Sequence, residues 1–266
     1  MEPKLTHEER VAQEIMFLKN RNDFTQELLK PVRVSNEMIQ KGCFGLSLRE
    51  LRLLFYLFSQ IKETDMGDER YKVSITTAGR MIGALSKDNK VDGKTYKAVF
   101  AAFSTLGERG LTLSAEQGAV FRCAFINNQE QDKSWNFVFN FNRNVAPYLF
   151  NVKKKCSRFT LDTVIYLRSS YGIRLYLLLL SYSSKNTCVK DFSLDELMFY
   201  LNADPDSYKL YCGFKSAVLL PAMRELKKTD IKADFIEIKS GKRVVALRFV
   251  ITKDYAQYRS ARSDTR

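Results

Sequence analysis

The sequence is short of the residues that most active sites need. It has one histidine, His7, in 266 residues. A His-dependent nucleophile or a histidine-held metal requires that residue among partners, and His7 lies near the terminus. The five cysteines (Cys43, Cys123, Cys156, Cys188 and Cys212) are odd in number and widely spaced, with no C-x-x-C pair. This argues against structural zinc and a disulfide framework, and fits a reducing cytosol. No stretch approaches the roughly 20 apolar residues of a bilayer span. The most apolar run, residues 175–180, is far shorter. Residues 1–30 carry acids where a secretory signal has a basic region. No G-x-x-x-x-G-K-[ST] occurs, so ATP binding through a P-loop is unsupported. Carboxylate pairs for a metal-dependent nuclease reduce to Asp195 with Glu196 and Asp204 with Asp206. The first pair suits the opening turn of a helix and the second a turn, so structural roles account for both. Thirteen tyrosines offer hydroxyls without a readable activating group. No catalytic residue, metal or cofactor is expected.

Positive charge is what the chain has in excess. The net charge is +13, and it is unevenly placed. Residues 1–150 hold 21 Lys+Arg against 18 Asp+Glu, whereas residues 151–266 hold 22 against 12. Such asymmetry favours a polyanionic partner, nucleic acid before membrane. At this length the chain suits one large domain or two ordinary ones.

Periodicity supplies the elements. Residues 8–29 carry a partial apolar stripe, ended by Pro31. Val32 and Val34 start a strand, and Ser35 caps a short helix over 36–41. Ser47 and Glu50 form a capping box before an apolar helix that runs to Ile61. A strand over 71–75 precedes a helix capped by Thr76 or Thr77. A second helix covers 94–109. Two strands follow, one over 111–126 and interrupted near Gln117, the other over 135–141 with Phe137, Phe139 and Phe141 alternating against polar neighbours. The order then repeats. Ser47, Arg52, Leu53, Leu57 and Ser59 fall on Ser169, Arg174, Leu175, Leu179 and Ser181 at a constant offset of 122. A strand over 189–194, a helix over 195–201 capped by Ser193, a helix over 208–228 and a hairpin about Ser240 and Gly241 complete the second copy. A period of this length is domain duplication. The fold class predicted is α+β: two tandem winged-helix domains related by internal duplication. The expected divisions are a helical arm over 1–30, domain 1 over 31–150, domain 2 over 151–255 and a basic tail over 256–266.

The stretch over 208–228 is the candidate DNA-reading helix. Phe214, Val218, Leu219, Ala222 and Leu226 form one apolar stripe, while Lys209, Lys215, Ser216 and Arg224 fall largely off it. Lys209, Tyr211, Lys215 and Ser216 lie in its N-terminal half, where base edges are reached. Lys239, Lys242 and Arg243 make a basic wing tip. A solvated surface helix and a soluble hairpin tip are the plain alternatives. In the first half the corresponding residues are Lys94, Tyr96 and Lys97, fewer and less charged, which suits a helper that contacts backbone or a structural helix. Lys153, Lys154, Lys155 and Arg158 lie between the halves, along the duplex or merely solvated. Pro221 sits inside the key helix and is expected to bend or divide it.

VSNEMIQKGCFGLSLRELRLLFYLFSQI resembles the opening motif of the iteron-binding plasmid replication initiators. PYLFNVKKKCSRFTL, SSYGIRLYLLLLSY, FKSAVLLPAMREL and KSGKRVVALRFVI extend the resemblance over about Val32 to Lys253. It implies two winged-helix domains. It implies monomers that bind iterons in double-stranded origin DNA, help open it and recruit host initiator proteins and the replicative helicase or its loader. It also implies dimers, in equilibrium with monomers and joined largely through the first domain, that bind an operator and repress the initiator's own gene. Such a protein is cytoplasmic, bacterial and plasmid-associated, with no membrane partner. The family places a proline where Pro221 stands. It often carries two adjacent arginines after the phenylalanine, where this chain has Lys215 and Ser216, and lysine lacks arginine's bidentate fork. A transcriptional repressor of the same fold without a replication role, and an origin-nicking enzyme, are the competing functions.

Overall fold

The structure is a computed structural model; it describes residues 23–85, 90–114, 120–132, 136–152, 155–183 and 187–253. Of the expected N-terminal helix, residues 23–28 are helical and the earlier part lies outside the described residues. The first half runs β1 (Pro31–Ser35), α1 (Asn36–Lys41), β2 (Gly42–Phe44), α2 (Leu48–Phe58), β3 (Tyr71–Ser74), α3 (Ile75–Met81), α4 (Gly93–Glu108), β4 (Gly110–Ser114), β5 (Val120–Ala124), β6 (Ile126–Gln131) and β7 (Asn136–Phe141). The second runs β8 (Cys156–Thr160), α5 (Leu161–Tyr166), α6 (Ser170–Tyr182), β9 (Cys188–Ser193), α7 (Leu194–Leu201), a long helix α8 over 211–226, β10 (Ile231–Ser240) and β11 (Arg243–Lys253).

Each half is a winged helix, and the duplication is visible in sheet topology. The first wing sheet has the order β3-β7-β6 and the second β9-β11-β10, the same arrangement of equivalent strands. The expected caps form: Ser47 with Glu50 makes its capping box at the start of α2, and Ser193 caps α7, where Glu196 turns the cap into a second box that was not foreseen. Helix α2 is apolar nearly all round and is buried from Leu53 to Phe58. On β7 the alternation holds, with Phe137, Phe139 and Phe141 buried and residues between them half-buried. Gly79 lets α3 approach α4, since a Cβ there would meet Thr95 Cγ2 at 2.8 Å.

Four local expectations need correction. Helix α3 is capped by Ser74, whose side chain accepts from the Thr77 amide, rather than by Thr76 or Thr77. Three hydroxyl residues lie within four positions there, and where the strand ends decides which one caps. The expected strand over 111–126 is three strands in two sheets: β4 lies between β2 and β5, pairing with both, while β6 joins the wing. The interruption expected near Gln117 lies outside the described residues. Strand β2 was not read between its flanking glycines, nor were β8 and α5 in the stretch after Lys155. Finally, the division of α8 expected at Pro221 falls just before it, where the α-helical stretch Leu220–Leu226 resumes with the proline in its first turn. Residues 215–219 form a π-helical segment, with the Leu220 amide donating to the Lys215 carbonyl five residues back. A proline has no N–H to donate and its ring crowds the preceding turn, so the wider turn just before it accommodates both.

The halves are interlocked about a local twofold axis. β1 and β8, the opening strand of each half, pair antiparallel, with Pro31 opposite Thr160, Ser35 opposite Cys156 and Arg33 opposite Arg158 at the centre. Each residue thus faces the mirror position of its own counterpart. Helix α1 packs on α6, and α5 reciprocally on α2. Two equivalent arginines reach across in opposite directions. Arg52 on α2 donates to the Leu167 carbonyl at 2.8 Å. Arg174 on α6 donates to the carbonyls of Phe44, Leu46 and Leu201. Asn36 adds bonds to the Ser181 carbonyl and from the Ser157 hydroxyl, both at 2.9 Å. One apolar core runs through both halves.

Candidate nucleic-acid interface

Helix α8 starts without a side-chain cap. Its N-cap is Leu210, 71% exposed. Phe214, Val218, Leu219, Ala222 and Leu226 are buried as the spacing demands. The opposite side, Ser216, Ala217, Leu220 and Arg224, is exposed. Lys209 and Cys212 are exposed at its start.

Lys215 does not point straight outward. Its ammonium lies 2.8 Å from Glu237 Oε1 on β10, and the Tyr211 hydroxyl donates to the same oxygen at 2.8 Å. The ammonium also sits 5.9 Å from the Tyr211 ring centroid and 6.0 Å from that of Phe235. These bonds, Lys215 first and Tyr211 second, hold the Glu237 carboxyl below the usual carboxylate range. Burial, then the bond to Glu237, pushes the Tyr211 hydroxyl well above its ordinary value. The cluster fastens the first turns of α8 to the wing. The Ser216 hydroxyl turns back to the Gly213 carbonyl at 3.2 Å.

The wing tip follows directly. Ser240 pairs with Arg243, leaving Gly241 and Lys242 as the turn, and Gly241 has φ +60°. That left-handed conformation suits glycine. The register shifts between Ile238 and Lys239, a bulge that re-aims the tip. Lys239, Lys242 and Arg243 are all exposed. Because Glu237 holds α8 and lies two residues from Lys239, the basic tip and the N-terminal half of α8 occupy one end of the domain.

The first half repeats this plan with less charge. Lys94 and Lys97 are exposed on α4. Tyr96 stacks on Phe100 with ring centroids 6.0 Å apart, and its hydroxyl donates to Gln131 on β6 at 3.1 Å. Tyr96 thus ties helix to wing as Tyr211 does. Helix α4 differs at its start, where Asp92 accepts from the Thr95 amide at 2.7 Å. That bond holds its carboxyl below the usual range, so a negative charge stands at the tip of α4.

The remaining sequence candidates sit elsewhere. Lys153 and Lys154 lie outside the described residues. Lys155 is exposed, has φ +52°, and its carbonyl accepts from the Asn36 amide. Arg158 lines a cavity of about 580 Å³ between the halves, together with Lys30, Arg33, Lys62 and Phe150. Phe150 packs on Phe141, at the end of β7 far from its wing tip, so this cavity faces away from the tip. The carboxylates weighed for metal have local roles. Glu196 completes the α7 cap, and Asp204 accepts from Ser207 and the Asp206 amide. Sequence reasoning missed Glu237, which organises the site. Its signal was an acid inside an otherwise basic hairpin.

Family models cover most of the chain. One described as Initiator Replication protein, WH1, matches residues 31–180, and one described as Initiator Rep protein, WH2, matches residues 193–251. Among solved structures, the Pi initiator protein in complex with iteron DNA matches with a TM-score of 0.64 at 20% identity, covering 85% of this chain and 98% of that one. Domains 2 and 3 of RctB match at a TM-score of 0.44 and 13% identity, covering 78% and 82%. No curated protein sequence matches. Among the described residues no helix is long and apolar enough to cross a membrane.

Proposed function

The chain belongs to the initiator replication protein family, and from that premise we propose that it is a non-catalytic plasmid replication initiator. It binds iterons in double-stranded origin DNA, helps open the origin and brings host initiator proteins and the helicase or its loader to it. The observation that carries this reading is the Glu237 cluster, which sets the N-terminal half of α8 and the cationic wing tip side by side. A helix in the major groove flanked by a wing on the backbone needs that juxtaposition. Domain 2, over 151–255, makes most of the contacts, through Lys209 just before α8, Tyr211, Lys215 and Ser216 on it, and Lys239, Lys242 and Arg243 on the wing. A half-buried pair with solvent access, such as Lys215–Glu237, is worth about 1 kcal/mol, so Lys215 exchanges Glu237 for a phosphate at little cost. Domain 1, over 31–150, assists through Lys94, Tyr96 and Lys97.

Dimerisation through domain 1 and repression of its own gene belong to the same proposal. Strand β5 supports the dimer: it has one neighbour, β4, among the described strands, and an edge strand is a template for pairing. The test is replication of a plasmid carrying only this gene and its adjacent DNA, with footprinting on that DNA. Replication with protection of tandem repeats is expected. Protection of a single operator without replication would favour a repressor, and magnesium-dependent nicking by the purified protein would favour an enzyme.

A further inference from the structure

We propose that α8 selects its site largely by apolar contact with thymine methyl groups, an inference that rests on the reading of α8 as the groove helix. The side chain sequence spacing offers for hydrogen-bonded base readout, Lys215, is drawn sideways onto Glu237 of the wing, and the Ser216 hydroxyl is spent on the Gly213 carbonyl. Ahead of Arg224, what remains on the outward side is small or apolar. A Cβ at Gly213 would meet nothing within 4 Å, and Ala217 is exposed. Leu210 at the N-cap is 71% exposed and Leu220 is 36% exposed.

Charge around the stripe identifies its occupant. Lys209, Arg224 and the wing-tip cations stand exposed about it, which suits a polyanion and opposes an apolar protein surface. Small residues let the helix backbone come close to the groove floor. Of the groups that base pairs present in the major groove, the C5-methyl of thymine is the apolar one. Leu210, Ala217 and Leu220 are fitted to it, while the cations hold phosphates and set the register.

The experiment uses the full chain and the duplex it enriches from a random-sequence library. Binding is compared by fluorescence anisotropy for that duplex and for one with deoxyuridine at every thymine, which removes methyl groups and leaves all base hydrogen bonds. A loss of roughly tenfold is expected, the scale at which one or a few buried methyl groups discriminate. The slope of affinity against salt should be the same for both duplexes, because phosphate contacts are unchanged. Leu210→Ala with Leu220→Ala, both at exposed positions, should shrink the thymine–uracil ratio to about threefold or less. Equal affinity for the two duplexes, with sequence preference retained, would overturn the methyl assignment and leave the groove reading standing. An undiminished ratio in the double variant would also overturn it, by placing the methyl contact elsewhere. If no duplex is enriched, the groove reading itself fails.

Discussion

Replacing Arg174 by methionine tests whether the cross-halves arginines hold the molecule together. Arg174 is 4% exposed, and its guanidinium donates to three backbone carbonyls: Phe44 and Leu46 in the first half and Leu201 at the end of α7. Its Nε has no partner. Burial drives its pKa down to about 10, a sign that the charge is poorly solvated. Two effects therefore oppose each other. Removing a buried charge relieves a desolvation penalty of several kcal/mol. Leaving three acceptors unpaired costs about 1–3 kcal/mol each. The second effect is larger when all three acceptors stay buried, so Arg174→Met should destabilise the fold by about 2–4 kcal/mol. The counterpart Arg52→Met orphans one carbonyl, that of Leu167, and should cost about 1 kcal/mol. Urea unfolding followed by circular dichroism reports the whole chain, and amide hydrogen exchange of α2 and β7 reports the first half. The two transitions should coincide in the parent protein and separate in Arg174→Met. A loss below 1 kcal/mol, or a gain, with coincident transitions would show that water or rearranged backbone satisfies those carbonyls, and the clasp would not couple the halves.

Three further outcomes follow from the same geometry. Glu237→Gln removes the carboxylate that Lys215 leaves on binding, so non-specific DNA affinity should rise about two- to threefold with little change in salt slope; an unchanged affinity in anisotropy titrations would mean that Lys215 never reaches phosphate. Asp92→Ser keeps a good N-cap on α4 but removes its negative charge; stability should change by less than about 0.5 kcal/mol while DNA binding at low salt tightens, and equal binding would show that the tip of α4 stays away from the duplex. Stability should fall as pH rises above 10: burial raises the hydroxyl pKa of Tyr56 well above its ordinary value and that of Tyr182 to about 12, so the unfolded chain releases protons that the fold retains. Arg174 acts with the opposite sign, because its pKa, lowered to about 10, lets the fold release a proton before the unfolded chain does, and Arg174→Met should therefore steepen the alkaline loss seen in thermal melts.

Local signals in the sequence were readable wherever a short stretch decides its own structure. Ser47 with Glu50, and Ser193, mark helix starts because the bonds they make span three residues. Phe137, Phe139 and Phe141 mark a strand because period two is written in the chain. The order of elements revealed the duplication for the same reason. What escaped notice depends on distant partners. β8 looked like part of a basic linker, since its partner β1 lies over a hundred residues away and its own pattern covers five residues. Lys215 looked free because its acid is on another element, reached only once the hairpin folds back on α8. Pro221 looked disruptive because a π-helical turn is a response of the backbone to tertiary packing and leaves no trace in composition.

The local twofold makes the differences between the halves informative. Strands β1 and β8, helices α1 and α5, and Arg52 and Arg174 keep matching places, so the scaffold that orients the two groove helices has been held nearly symmetric. The helix tips have not. One begins at Asp92, whose charge opposes phosphate, and the other at Leu210, which carries none and is followed by a basic wing. Of two helices offered from equivalent positions, the one without a carboxylate at its tip approaches a phosphate backbone with less repulsion. Part of the uneven charge of the two halves thus lies at the ends of two equivalent helices. Under the proposed reading, in which the second half sets the site and the first adds contacts along the same duplex, loosening the frame through Arg174 should weaken binding even though that arginine is buried.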